Sequence, residues 1–512
     1  MSNRIFAKSW NGINISRDYC ILLLILILAT LISKCGVFLG GFATDDYQFN
    51  AIPVSEFLSQ GRVFAGAIFI ILRLLDVNGA DLYLPFGALA IVLHAVFFAA
   101  ILRFVGVEKI PGAGLIGALM VSYPYGAEIF TFKIALPTYS LALFFSFSTL
   151  ELIVRNPKSR SIRIFAFFSA LSMLFTYQIF FSYFAILVVF SWIFYRLFSL
   201  SDITIENENG LTIRDRSAAL LIVSFSALVA FFCILFVAKL FDIQLGSTGR
   251  AHFISFHMIP ERLNQIIVQL KIIYWSAEPV FPVLLKRILL LLSLYSFFYI
   301  AKYIYSSDKK KWGYELFLIV VLFTFLVPLS LGVIVAFGDW WPVPRVVSHV
   351  SVIVGLLLIA GSYCAIASQR RTFYSLFVFG IMAVIFGFIL VGNQIFSDQI
   401  KVNNWDKSLA DQIMIRLEGN PNFNAIRFLD IEGGRYDYPD GVKTADGDMN
   451  ISAFYPVGSK VPAFDFFIGS NFERPYGEKA LQGESYCSTS PSWPAPQSVK
   501  IIGDLAVVCR QK

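Results

Sequence analysis

Apolar residues fall along this chain in runs of helix length, separated by short polar segments. A bilayer crossing takes about 20 such residues. About eleven runs approach that length, at roughly 19–42, 82–104, 112–131, 138–155, 164–178, 180–198, 217–241, 288–305, 314–338, 350–368 and 373–393. The fifth and sixth form one stretch, Ile164 to Leu200, which is too long for a single crossing and breaks near Thr176-Tyr177-Gln178. The pattern predicts a polytopic α-helical membrane domain over 1–393 and a different kind of unit over 394–512.

Three of the segments outside the runs are long. The first, 43–81, contains Val63 to Leu75, which is apolar but too short to span and is interrupted by Arg73; it reads as a helix lying in the interface. The second, 242–287, holds Arg250, His252, His257, Glu261 and Tyr274-Trp275. The third is the tail. There Leu409, Ile413 and Leu417 recur at helical spacing within Trp405 to Leu417, Phe423 to Ile431 reads as a strand, and Val499 to Val508 reads as a hairpin turning at Gly503-Asp504. A unit of this size buries a modest core, and the mixture predicts a small α/β or α+β domain.

Composition agrees with a membrane location: 57% of the 512 residues are apolar, 15% are charged, and Phe alone contributes 53. The first run exceeds the about 7–15 apolar residues of a cleaved signal and lacks a small-residue cleavage site, so it reads as a retained anchor. The net charge of +7 gathers in no basic domain, which argues against nucleic acid as a partner. It lies in short loops instead, as at Arg4, Lys8, Arg17, Arg103, Lys109, Arg155, Lys158, Arg160, Arg163 and Arg196. These segments are richer in Lys and Arg than the longer ones on the opposite side, which places the N-terminus in the cytoplasm. An odd number of crossings then puts the tail outside. In such an oxidising compartment the tail's two cysteines, Cys487 and Cys509, are expected to pair. Cys20, Cys35, Cys233 and Cys364 lie in or beside the runs and read as ordinary buried thiols.

Candidate chemistry sits at the outer ends of the runs. Asp45-Asp46-Tyr47 follows the first. The bland reading is a solvated helix end; the sharper one is a base, because an adjacent like charge and partial burial raise a carboxyl pKa. Glu128 closes Tyr123-Pro124-Tyr125-Gly126-Ala127-Glu128, at a depth where a carboxylate needs a partner or a wet cavity. Lys133, five residues on, is one such partner. Tyr177-Gln178 interrupts an apolar run, where Gln178 either bonds a neighbouring helix or contacts substrate. His94 lies inside a run and reads as structural. Arg345 follows Asp339-Trp340-Trp341-Pro342-Val343-Pro344; its guanidinium suits phosphate, while Trp340 and Trp341 suit either sugar stacking or interfacial anchoring. Asp440, Asp446, Asp448 and Asn450 lie in a plain acidic loop, which lacks the twelfth-position Glu of a calcium site. No P-loop, HExxH, CxxC or dinucleotide fingerprint occurs. No cofactor is evident, and dependence on a divalent metal stays open.

In order along the chain, Asp45-Asp46-Tyr47, Gly61-Arg62, Glu128-Ile129-Phe130-Thr131-Phe132-Lys133 with Leu136-Pro137, Tyr177-Gln178 and Pro344-Arg345 resemble the serotype-converting O-antigen glucosyltransferases of enteric bacteria and their phages. These are polytopic GT-C-type enzymes dependent on polyprenyl-phosphate sugars. The resemblance covers about 40–350 and does not reach the tail. It implies a GT-C-like membrane fold in the bacterial inner membrane, with glucose carried on undecaprenyl phosphate and passed to a sugar of the lipopolysaccharide O-antigen repeat on the periplasmic side. It also implies a first-loop catalytic carboxylate, here Asp45 or Asp46, with Glu128 orienting sugar or acceptor. Arg345 and Lys133, then Arg62 and Arg250, are the expected phosphate ligands. The rival expectations are a flippase for lipid-linked sugars, an O-antigen polymerase and a structural assembly subunit.

Overall fold

The computed structural model describes residues 17–49, 52–200, 212–240, 254–276, 280–307, 311–368, 371–434 and 439–510. Its helices, in chain order, are α1 (Arg17–Lys34), α2 (Val54–Ser59), α3 (Val63–Leu74), α4 (Tyr83–Val105), α5 (Ala113–Ser122), α6 (Glu128–Thr131), α7 (Leu136–Arg155), α8 (Arg160–Thr176), α9 (Phe180–Ser199), α10 (Ile213–Leu240), α11 (Ile259–Tyr274), α12 (Val283–Ser307), α13 (Trp312–Leu329), α14 (Val350–Ala367), α15 (Arg371–Glu418), α16 (Lys460–Ile468) and α17 (Glu478–Thr489). Among the described residues, nine helices are long and apolar enough to cross a bilayer, so this is a polytopic helical membrane protein.

The third apolar run does not form one crossing. α5 is only 10 residues long and stops at Ser122. Tyr123 is extended, and Pro124, which has no N–H to give a helix, opens a short 3-10 turn. The chain then passes through α6, an extended Phe132 and a second 3-10 turn at Lys133–Ala135 before α7 begins. Irregular backbone of this kind survives at membrane depth only when protein surrounds it, and Pro124, Tyr125, Ala127, Glu128 and Ile129 are all buried. The break turns the end of the run into a place for a functional side chain.

α14 lies at the centre of the bundle and is almost wholly buried, whereas α10 and α13 are mostly exposed and form the rim. The rim helices carry exposed Phe225, Phe232, Phe236, Phe317 and Phe325, as lipid-facing surfaces do. Gly355 on α14 lets the side chain of Met120 on α5 come close to its backbone.

The last run and the first tail helix are one element. α15 runs for 48 residues, about 72 Å, more than twice the about 30 Å hydrocarbon thickness. Its far end leaves the membrane part, and Ala410, Ile413 and Leu417 join Leu429, Ile431, Phe454, Phe464 and Val508 in a second core. The tail's sheet has the order β1-β3-β2, from β1 (Phe428–Glu432), β2 (Val499–Ile502) and β3 (Leu505–Cys509). β1 pairs parallel to β3 with Phe428 opposite Leu505, and β2 pairs antiparallel to β3 with Val499 opposite Val508. Cys487 on α17 is bonded to Cys509 at the end of β3, with Cα atoms 5.2 Å apart.

Tail and membrane part are packed together. Phe466 lies 5.4 Å from Phe42 and 5.2 Å from Tyr47, and Phe467 lies 5.3 Å from Tyr47, measured between ring centroids. Asn403 of α15 accepts from the Phe42 N–H at 2.6 Å and donates to its carbonyl at 2.9 Å. Gln399 donates to the Thr131 carbonyl at 2.9 Å. α15 therefore braces both the first loop and the broken segment after α5.

Candidate active site

The acidic pair lies on a 3-10 turn, Thr44–Gln48. Its two members have different surroundings. Asp46 is 2% exposed. One carboxylate oxygen accepts from the Ala43 N–H at 2.7 Å, and the other from the Ile134 N–H at 2.8 Å. Asp46 thus ties the first loop to the turn at Lys133–Ala135. Burial pushes its carboxyl up to about 7, against the opposing pull of those N–H groups and of Lys133. Asp45, its neighbour, is only half-buried.

Lys133 lies beneath this loop and is 0% exposed. Its ammonium donates to the Val37 carbonyl at 2.7 Å and lies 5.6 Å from the Tyr83 ring centre. The cation paired with Glu128 is Arg345. Glu128 is 0% exposed and receives the Arg345 backbone N–H at 2.5 Å, and its second oxygen accepts from the Arg345 guanidinium. The other edge of that guanidinium donates to Asp448 at 2.6 Å. Burial works against the Arg345 charge, but the Glu128 and Asp448 carboxylates outweigh it and hold the pKa above its ordinary value. The face of the guanidinium lies 4.7 Å from the Phe132 ring centre.

Three further candidates meet on the same side. Gln178 donates to the Gln60 carbonyl at 3.0 Å, and Arg62 lies 5.1 Å from the Tyr177 ring centre. Gly61 between them takes φ +72, and a Cβ there would fall 2.5 Å from Ile234, so the turn needs glycine. The Tyr177 hydroxyl is close enough to act electrostatically on Arg345. One turn beyond Arg345, Ser348 shares a hydrogen bond of 3.0 Å with Tyr183. Burial pushes His349 down to about 4, which keeps it neutral near pH 7.

Trp340 is part-buried, with the Arg262 guanidinium 4.8 Å from its ring centre. Arg262 donates to the carbonyls of Ile334 at 3.1 Å, Phe337 at 2.7 Å and Gly338 at 2.7 Å, which fixes the approach to Arg345. Trp341 is 37% exposed. Arg250 and His252 lie outside the described residues. His94 is buried and bonded to the Tyr139 hydroxyl at 3.0 Å. Among the described residues, no group of three or more His, Cys, Asp or Glu side chains could hold a metal ion.

In the sequence Asp448 is one residue of a plain acidic loop. Its one local signal is the tight Asp446-Gly447-Asp448 turn, and nothing in that signal points to a residue 103 positions earlier. Gly447 takes φ +58 and packs on Val343, two residues before Arg345, which brings Asp448 within reach.

No curated protein and no solved structure matches the chain. The profile of the family described as glucosyl transferase GtrII matches residues 35–362, which include the acidic pair, the segment at 128–133, Tyr177-Gln178 and Arg345. With well over half of its length matched, the chain belongs to the GtrII glucosyl transferase family and is a membrane-embedded glycosyltransferase.

Proposed function

We propose that this enzyme moves glucose from undecaprenyl-phosphate-glucose to a sugar of the lipopolysaccharide O-antigen repeat, on the periplasmic side of the inner membrane, and so modifies serotype. The observation that carries the reading is the convergence on Arg345. Glu128 and Phe132 lie against this one guanidinium, and Tyr177, from a distant part of the family-matched region, acts on it electrostatically. Asp46 and Gln178 join the adjoining loops to the same cluster. In this reading residues 1–393 form the catalytic domain and 394–512 a periplasmic domain.

Asp45 takes the proton of the acceptor hydroxyl as general base. It is the better candidate of the pair because it is half-buried and open to an acceptor, whereas Asp46 is buried under the loop it ties down. The acceptor oxygen attacks the anomeric carbon opposite the lipid phosphate, the bond from that carbon to the phosphate oxygen breaks, and configuration inverts. The leaving group gains negative charge, so cationic donors near it accelerate the step. Arg345 fills that role, oriented by Glu128, with the half-buried Arg62 behind it. Lys133 contributes from below through the loop it supports, and Trp340 and Trp341 border the entry to the site.

Radiolabelled polyprenyl-phosphate-glucose and isolated O-antigen test the reading. Addition of one glucose per repeat supports it. Growth of the glycan chain points to polymerisation, and no incorporation points to transport or assembly.

A further inference from the structure

The Arg345 guanidinium has two carboxylate partners that differ in kind. Glu128 is 0% exposed on its side chain and also holds the Arg345 backbone N–H. It is a fixed support from within the membrane part. The Asp448 side chain is 24% exposed, and among the described residues its carboxylate makes one hydrogen bond, that to Arg345. It comes from the tail, beyond the family-matched region. The inner edge of the guanidinium is therefore committed, while the outer edge faces an anion that can leave.

We propose that Asp448 is a built-in stand-in for the donor's phosphate. It holds the outer edge of Arg345 in the empty enzyme, yields that edge to the phosphate of the sugar donor, and retakes it as the product lipid phosphate departs. The inference rests on the donor reading above. Two chemical arguments and one structural observation support it. First, a sugar phosphodiester and a carboxylate each carry one negative charge, so the exchange leaves the charge around Arg345 unchanged. Second, transfer leaves a phosphomonoester, whose second proton is lost with a pKa of about 6. The product therefore holds an arginine more tightly than the donor did, and a tethered competitor hastens its departure.

Third, the exchange requires only a side-chain rotation. The loop backbone is pinned on both sides of Asp448. Asp446 and Met449 exchange backbone hydrogen bonds of 3.1 and 3.0 Å, and Met449 is buried in the main membrane core. Asn450 donates to the Ile395 carbonyl at 2.9 Å, and Thr444 donates to Asp398 at 2.9 Å. The carboxylate thus stays at high effective concentration beside Arg345 after it lets go. This makes Asp448 a positioning residue that acts through Arg345.

The test uses the full chain in lipid nanodiscs. Binding of undecaprenyl phosphate is measured without acceptor, and steady-state transfer is measured with undecaprenyl-phosphate-glucose. Asp448→Asn and Asp448→Ser should each bind the lipid phosphate several-fold to about tenfold tighter, the effect of removing one charge-assisted competitor. The donor KM and kcat should fall together, because the product leaves more slowly. A donor KM that rises or stays constant while kcat falls would mean that Asp448 only braces Arg345, and would overturn the exchange. Lipid phosphate binding that is unchanged or weaker in both variants would also overturn it. If the unmodified protein binds no undecaprenyl phosphate at all, both the exchange and the donor reading fall.

Discussion

Glu128 receives both the backbone N–H and a guanidinium N–H of Arg345, across 217 residues of sequence. A buried pair of this kind adds little net stability while intact, but removing one partner leaves an uncompensated charge and costs about 3–5 kcal/mol. Glu128→Ala should therefore lower the unfolding temperature sharply, while Glu128→Gln, which keeps the shape and one acceptor, should lower it less. Arg345→Lys should lose transfer even where it folds, because an ammonium cannot hold Glu128 and a phosphate at once in the planar geometry of a guanidinium. Near-normal transfer by Arg345→Lys would remove Arg345 from the proposed phosphate site.

The two aspartates should separate by assay. Asp45→Asn is expected to fold normally and lose about 10²–10⁴-fold in transfer, the usual worth of a general base. Asp46→Asn brings an NH2 group against a backbone N–H that now has an acceptor, and one unsatisfied buried group costs about 1–3 kcal/mol. Its expected defect is reduced thermal stability. The reverse pattern, a stable and inactive Asp46→Asn beside a fully active Asp45→Asn, would exchange the roles.

A pH dependence follows from Asp46. Its carboxyl lies at about 7 in the folded chain and at about 3.9 when unfolded. Between those values the folded state binds the extra proton, so this group's contribution to stability is fully present below about 4 and is lost as pH rises through about 7. Unfolding temperatures measured from pH 4 to 8 should show a downward component that Asp46→Asn abolishes. If the two proteins have the same pH profile, Asp46 is not the group responsible.

Apolar periodicity made most of the helices legible, and the hairpin at Gly503-Asp504 was equally plain. The site was legible in its residue types and much less so in its pairings. Lys133 is near Glu128 in sequence, but the extended backbone at Phe132 turns it toward Val37. Glu128 finds Arg345 instead, a contact that local spacing does not encode. α15 looked like two elements because polar residues crowd its middle. Asn393, Gln399 and Asn403 are polar there because they bond to Ile32, Thr131 and Phe42 on neighbouring segments. A composition shift that reads as a domain boundary marks a helix that changes surroundings without stopping.

Gly61 offers a test of the contact between the first loop and Tyr177-Gln178. Gly61→Ala must accommodate a methyl group 2.5 Å from Ile234 at φ +72, and forcing a non-glycine residue into the left-handed region costs on the order of 1–3 kcal/mol. The expected result is a loop whose Arg62 no longer lies over Tyr177, with a raised donor KM. Unchanged donor kinetics would show that Arg62 takes no part in donor binding.

The disulfide predicts a defect confined to the tail. Cys487 and Cys509 are separated by 22 residues, and a closed loop of that length stabilises by roughly 3 kcal/mol in the chain-entropy model. Cys487→Ala should make the tail the first part cleaved in limited proteolysis, with the membrane helices left intact. Equal protease resistance with and without the bond would show that the tail's core carries its stability unaided.

The unbroken run of α15 from the bundle into the tail core fixes a phase as well as a distance. Each residue of an α-helix advances about 1.5 Å and turns about 100°. Adding or deleting one residue between Asn393 and Ile395 would therefore swing the tail around the helix axis and carry Asp448, whose loop is anchored at Ile395 and Asp398, away from Arg345. The count of residues in this stretch works as a dial setting: insertion of a full turn should restore the tail's orientation but, at about 5.4 Å of added length, not its contact with Arg345.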